Sequence, residues 1–214
     1  FYAIINTMKS EIIPLFSTPL YVGRVDIESS IDEKFLKSFS YLPYNDKTGY
    51  CSQDQKILLN PDFQSLKKHI DKHINVYMFE VLNISQGKPT HVQSWINKHG
   101  EDDFSPKHVH SNSFISGGVY LQCEPNSGKI CFCKSDNPTW ATNTIRPNVS
   151  DVNIFNAYSW SFETHRGDLF IFPSHLNHKV EKNMSGKDRY MIAFNYFLDG
   201  TFGERTGEVS VKVS

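Results

Sequence analysis

Residues 108–122 read HVHSNSFISGGVYLQ, and the fold turns on them. Side chains on a β-strand alternate between faces with a period of two. By that rule His108 and His110 project from one face, with Val109 between them. The run Ser116–Gln122 (SGGVYLQ) then reads as a strand of its own. The same pattern recurs on either side. Val92–Asn97 (VQSWIN) alternates as a strand, and a polar loop from Lys98 to Lys107 leads into the histidine pair. Lys129–Lys134 (KICFCK), Asp168–Pro173 (DLFIFP) and Arg189–Phe197 (RYMIAFNYF) follow as further short apolar runs. Short strands separated by Gly, Pro and Asn clusters predict an antiparallel sandwich or barrel, a mainly β fold.

The N-terminal third reads differently. Residues 11–28 (EIIPLFSTPLYVGRVDIE) suggest two short strands broken by Pro14 and Pro19. Ser30 with Glu33 forms a capping box for a helix whose apolar face is Ile31, Phe35, Leu36 and Phe39. Asn60 and Pro61 supply the cap and first turn of a second helix. Phe63, Leu66, Ile70, Ile74, Tyr77 and Met78 keep helical spacing to about residue 82. Both helices are expected to flank a sheet. Residues 134–163 show no period and read as a long loop over one end of the barrel. Loops of that length are usually functional, which makes Trp140, Arg146, Trp160 and His165 candidates for a substrate lid. The tail from Thr201 is polar. With no repeat or internal boundary, residues 1–214 read as one domain. Residues 1–10 are its expected tag remnant or disordered start, with Met8 as the native first residue.

Composition narrows the function classes. The chain has 214 residues, 39% hydrophobic and 14% aromatic, with 16 Phe and 10 Tyr, enough for a packed β-rich core. Formal net charge is −1, which argues against bulk attraction to nucleic acid. No apolar run approaches the roughly 20 residues of a membrane helix. Four cysteines (Cys51, Cys123, Cys131, Cys133) include no CxxC pair, and the N-terminus has no signal-peptide pattern. A reduced, cytoplasmic chain is the expectation. Asn83-Ile84-Ser85 and Asn183-Met184-Ser185 match the glycosylation sequon, a sequence short enough to arise by chance. A homodimer is the base-rate expectation for oligomeric state.

Histidine chemistry points further. A third histidine returning from a distant strand would close three ligands on one face of a metal, leaving positions open for substrate and oxygen. His178, 68 residues after His110, is placed for that, directly after the Asp168–Pro173 strand; His175 is its nearest competitor. Arg189, eleven residues past His178, opens a mostly apolar strand and would bring a guanidinium fork into the barrel to hold a carboxylate.

Taken in order, several segments resemble the Fe(II)- and 2-oxoglutarate-dependent oxygenases, in particular a subfamily widespread in bacteria and phages. The matching residues are Pro14-Leu15-Phe16, Ser94-Trp95-Ile96-Asn97, His108-Val109-His110-Ser111-Asn112, Ser116-Gly117 and Val119-Tyr120. Gly167-Asp168-Leu169, Phe172-Pro173-Ser174, His178, and Arg189 with Ala193-Phe194-Asn195 complete them. The resemblance spans about residues 11–199. It implies a double-stranded β-helix (a jelly roll, cupin-like) of eight core strands. It also implies Fe(II) and 2-oxoglutarate as cofactors, with His108 as first ligand and His178 as distal ligand. Position 110 departs from the family pattern, holding His where a carboxylate is expected. Three readings follow: His108, His110 and His178 as ligands; a shifted frame of His110 with Asn112; or two protein ligands and water. Arg189 is implied to bind the distal carboxylate of 2-oxoglutarate. Many relatives outside this subfamily place a Ser or Thr two residues after this arginine; here it is Met191, so Tyr120 is the candidate hydroxyl. Asn97 and Asn195 are expected to face the pocket, and Trp95 and Phe194 to fill core.

The function expected is a dioxygenase that hydroxylates an unidentified small-molecule or peptide substrate and releases succinate and CO2. Two rivals stand beside it. One is a three-histidine cupin-type dioxygenase that needs no 2-oxo acid. The other is a non-catalytic jelly-roll binding module.

Overall fold

The structure, a computed structural model, describes residues 12–46, 48–134 and 148–213. In chain order the elements begin with β1 (Tyr21–Arg24), α1 (Glu33–Lys37), β2 (Tyr41–Pro43), β3 (Tyr50–Ser52) and α2 (Gln64–Asn75). β4 (Lys88–His99), β5 (Ser105–His108), β6 (Ile115–Gln122), β7 (Ile130–Cys133) and β8 (Ser159–Phe162) follow. The last are β9 (Asp168–Pro173), β10 (His178–Val180), β11 (Arg189–Phe202) and β12 (Val209–Val211). The larger sheet runs β1-β9-β6-β11-β4-β3-β2, with β12 on β11; the smaller runs β5-β10-β7-β8. Every pair among these strands is antiparallel. The sheets pack face to face as a double-stranded β-helix.

Strand β11 explains the layering. Its even residues Tyr190, Ile192, Phe194 and Tyr196 are buried on one face. There they join Ile96 of β4, Val119 of β6, Leu169 and Ile171 of β9, and the apolar stripe of α2 in one core. Its odd residues Arg189, Met191, Ala193 and Asn195 turn to the other face and line a cavity between the sheets. A second core fills the rest of that inter-sheet space, with Tyr120, Phe170 and Phe172 from the larger sheet against Ile130, Phe132 and Val180 from the smaller. Full burial of a side chain such as Phe or Ile stabilises by about 1.5–3 kcal/mol, so both faces of β11 are held to one register.

The second helix begins as the sequence predicts. Asn60 accepts a hydrogen bond from the Asp62 amide (3.0 Å), and Pro61 starts a 3-10 turn that passes into α2. A π-helical turn over Val76–Val81 extends it. Phe63, Leu66, Ile70, Ile74, Tyr77 and Met78 are all buried. The Tyr196 hydroxyl donates to Asp71 Oδ1 (2.5 Å), tying β11 to this helix.

Other expectations are corrected. The first helix is capped by Asp32, whose side chain accepts from the Phe35 amide (2.8 Å), so Ser30 does not start it. Residues 12–20 form no strand; only β1 follows the prolines. The expected long loop ends in β8, which pairs with β7 at Phe132↔Trp160. Trp140 and Arg146 lie outside the described residues. The polar tail returns as β12 on Gly200–Phe202. The 98–107 segment is shorter than predicted, because β4 runs to His99 and β5 starts at Ser105. His108 therefore ends a strand and His110 lies just beyond it. All four cysteines are free thiols. Asn183 of the second sequon is fully buried and donates to the His99 and Lys187 carbonyls. No described helix is long and apolar enough to cross a membrane.

Candidate metal centre

Histidines 108 and 178 meet because β10 pairs with β5 in the register His178↔His108. Their ring centroids are 4.3 Å apart. His110, past the end of β5, is anchored by its amide to the Ser174 carbonyl (2.9 Å). That contact turns its ring back onto the pair, 5.3 Å from His108 and 5.1 Å from His178. One ligand atom from each of the three lies within 4.8 Å of the others, the one cluster of its kind among the described residues.

The orientation of each ring is fixed from behind. His108 Nδ1 bonds the Pro106 carbonyl (2.7 Å), His178 Nδ1 the Leu176 carbonyl (2.9 Å), and His110 Nδ1 the Asn195 carboxamide oxygen (2.6 Å). Each partner is an acceptor, so each Nδ1 must carry the proton, leaving three Nε2 lone pairs unengaged. A hydrogen bond to the second ring nitrogen is how proteins orient histidine ligands. Burial lowers the pKa of His110 to about 4 and of His178 to about 3, so both are neutral imidazoles, the ligating form, at neutral pH. The donor set suits a first-row divalent ion such as Fe(II).

A cavity of about 330 Å³ opens onto these rings. Its inner end holds Arg189, which is 1% exposed. Arg189 Nη1 donates to the Ser127 and Glu181 carbonyls, while Nη2 is buried without a partner. Gly128, at φ +88°, makes the turn that brings the Ser127 carbonyl there; a Cβ at 128 would lie 2.5 Å from the Glu181 oxygen. Burial pulls the guanidinium pKa downward, the signature of a cation lacking a counter-ion. The fully buried Tyr120 hydroxyl is also unpartnered. Thr164 lies close enough to lower the Tyr120 pKa, and its hydroxyl has a long contact with the Gly128 carbonyl (3.5 Å). Burial raises the Tyr120 pKa, against a smaller opposing pull from Arg189. Arg189, an orphaned donor in the cavity wall, suits a carboxylate; Tyr120 lies in the apolar core between the sheets and is not among the residues that line the cavity.

Nearer the mouth, Trp95 stacks on His110 at 5.7 Å and 28°. Its Nε1 donates to Asn97 Oδ1 and to the Tyr44 hydroxyl (both 3.0 Å), and the Tyr44 hydroxyl itself donates to Asn97 Oδ1. Trp95 thus lines the cavity instead of filling core, because it shares the pocket-facing register of Asn97; Phe194 does fill core. Asn97 and Asn195 both face the cavity. His175 and Asn112 are exposed, outside both the histidine cluster and the cavity lining. Asn112 has a left-handed backbone (φ 57°) in the turn after His110. His165 is exposed and paired with Asp168.

The sequence reading passed over His99 and Tyr44, and it gave Ser116 and Ser174 no role beyond the resemblance. His99 pairs with Arg189 across β4 and β11 and is buried in the cavity wall. Burial and the Arg189 charge lower its pKa to about 3. Carrying the alternation of Trp95 and Asn97 two residues further would have found it. Nothing local marks Tyr44, which arrives from the β2–β3 turn.

Comparisons with known proteins agree with this geometry. Residues 93–195 match the family model described as "Putative 2OG-Fe(II) oxygenase". That segment contains the three histidines and Arg189. The matched segment, just under half of the chain, is thus similar to the Fe(II)- and 2-oxoglutarate-dependent oxygenases. No curated protein matches the sequence. Among solved structures, the fold is similar to a prolyl-4-hydroxylase from Pseudomonas putida (11% identity, TM-score 0.53, covering 85% of this chain and 94% of that one). It is similar to HygX from Streptomyces hygroscopicus with nickel, 2-oxoglutarate and hygromycin B bound (14%, TM-score 0.56, 84% and 83%). It is also similar to a Trichoplax adhaerens prolyl hydroxylase in complex with a hypoxia inducible factor peptide (13%, TM-score 0.57, 86% and 85%).

Proposed function

We propose that His108, His110 and His178 hold the iron and that Arg189 and Tyr120 hold the distal carboxylate of 2-oxoglutarate. The observation that carries this reading is the convergence of three imidazoles, each with its Nδ1 proton committed to an acceptor behind it. Bound together, iron and 2-oxoglutarate supply O2-dependent oxidation of a substrate C–H bond, coupled to formation of succinate and CO2.

The chain's residues have separate tasks around that chemistry. Arg189 Nη2 is a free donor in the cavity wall, so an incoming carboxylate gains a hydrogen bond that the protein itself leaves unmade; the unpartnered Tyr120 hydroxyl, in the apolar core behind the lining, is the second donor this reading assigns. That asymmetry favours the 2-oxoglutarate reading over a cupin-type dioxygenase without it. Ile130, Val180 and Phe172 line the cavity and exclude water, which strengthens the charge contact. Trp95 braces His110 from its open side, and Tyr44 with Asn97 fixes the indole edge. Tyr44, Trp95 and Gln93 form the wall facing a substrate. A small molecule or a single peptide side chain suits a cavity of this size; nucleic acid has no matching charge pattern in the composition.

The test is turnover. Anaerobic loading with Fe(II), then addition of O2 and 2-oxoglutarate, is expected to yield succinate above a metal-free control. Metal binding with no 2-oxoglutarate consumption and no perturbation of the metal spectrum by 2-oxoglutarate would assign the site to the cupin-type chemistry instead.

A further inference from the structure

We propose that Asn195 is a positioning residue that dictates which nitrogen of His110 faces the ion. This rests on the three-histidine reading above. Position 110 is where the resemblance leads one to expect a carboxylate, which can ligate through either oxygen. An imidazole has two inequivalent nitrogens and must be told which to offer.

The residues that tell it are aligned across three central strands. Asn195 of β11 is in register with Ser116 of β6 and with Gln93 of β4. Its Oδ1 receives two donors, His110 Nδ1 (2.6 Å) and Ser116 Oγ (2.8 Å). Behind Ser116, Ser174 Oγ lies at 2.8 Å, and Ser113 donates to Ser174 at 2.8 Å. The hydroxyl protons therefore run in one direction, Ser113 to Ser174 to Ser116 to Asn195. Such chains polarise one another and strengthen the terminal acceptor. Asn195 Nδ2 is directed away, to Gln93 Oε1 at the cavity mouth (3.4 Å). That contact sets which end of the carboxamide faces His110. Asn195 is 3% exposed, Ser116 0% and Ser174 2%, so the Ser174–Ser116–Asn195 part of the chain is shielded from bulk water. The acceptor is neutral, as are the Pro106 and Leu176 carbonyls behind the other two rings. The protein thus orients all three ligands without adding negative charge.

The test measures affinity for Zn(II), by competition with a chromophoric chelator, on the full chain and on Asn195→Leu and Asn195→Asp. Leucine keeps bulk and removes the acceptor; aspartate keeps the acceptor. Loss of such a supporting contact typically weakens metal binding about 10–100-fold, and that loss is expected for leucine. Aspartate is expected to hold or tighten zinc. A side chain that merely fills space would give the reverse order, since a buried carboxylate costs more than an alkyl group. Leucine within twofold of wild type, or aspartate weaker than leucine, overturns the proposal. A second measurement needs no variant: nitrogen-15 NMR of the zinc-loaded wild type is expected to show His110 protonated at Nδ1. Protonation at Nε2 would overturn the proposal even if Asn195→Leu fails to fold. Absence of zinc binding by wild type would remove the three-histidine reading and this inference with it. Zinc binding with an unaffected leucine variant would remove the inference alone.

Discussion

His178 makes two opposite commitments at the scale of one residue. It is 5% exposed and packs beside Phe172 and Phe132, yet it offers a ring nitrogen within 4.8 Å of those of the other two imidazoles. His178→Ala is expected to abolish binding of a divalent metal, measured by titration. Unchanged metal affinity would return the chain to a non-catalytic binding module. Arg189 and Tyr120 can be separated by different substitutions. Arg189→Lys keeps the charge and loses the fork, and hydrogen bonds to charged groups contribute about 1.5–3 kcal/mol. An increase of roughly tenfold or more in the KM for 2-oxoglutarate is expected, read from succinate formation. Tyr120→Phe removes a buried hydroxyl that has no partner within the protein. Its unfolding free energy should therefore stay level or rise by about 1 kcal/mol in urea, while the KM for 2-oxoglutarate rises. Loss of stability with unchanged KM would show the hydroxyl to be structural.

At the scale of the element, the central strands leave little room for change. A Cβ on Gly117 of β6 would sit 2.5 Å from the Phe170 carbonyl oxygen and from the Phe194 ring. On Gly118 it would meet the mobile end of Met191 at 2.2 Å. Overpacking of this kind costs about 1–3 kcal/mol, and Gly117→Ala is expected to bear the larger penalty in denaturant unfolding because backbone cannot swing aside. These elements were legible beforehand for a physical reason. The apolar runs RYMIAFNYF and DLFIFP are a property of neighbouring residues, as is the helical spacing from Phe63 to Met78. The pairing of β12 with β11 and the capture of Ser159–Phe162 by β7 depend on partners dozens of residues away or on a turn of no fixed motif. The site divides likewise. His108, His110, His178 and Arg189 were marked by spacing, whereas the serine relay behind Asn195 and the Tyr44 contact exist only once strands are in register.

For the whole molecule, two histidines outside the three-histidine cluster make folding sensitive to acid. Burial lowers His91 to about 4, and burial with the Arg189 charge lowers His99 to about 3, from an ordinary 6.5. Between those values and 6.5 the unfolded chain binds more protons than the folded one, so stability rises with pH and falls on acidification. Each such histidine contributes up to about 1.4 kcal/mol per pH unit in that window. The thermal midpoint is expected to be level above pH 7 and to drop steadily from about pH 6.5 toward 4, with or without metal. A flat profile through that range would show that the two rings can be protonated in the folded protein, with acceptors or anions stabilising the charged form.

The two-sided use of β11 also bears on how such a chain can diverge. One inserted residue would swing Arg189 into the helix-packed layer and drive Tyr190 toward the ion, so catalysis and solubility would fail together. Indels are thereby barred from this strand, and new substrate preferences must be acquired along the rim, where the Tyr44 turn and neighbouring loops can lengthen without disturbing the ladder. Ancestry should be readable in the strand and specialisation in its borders.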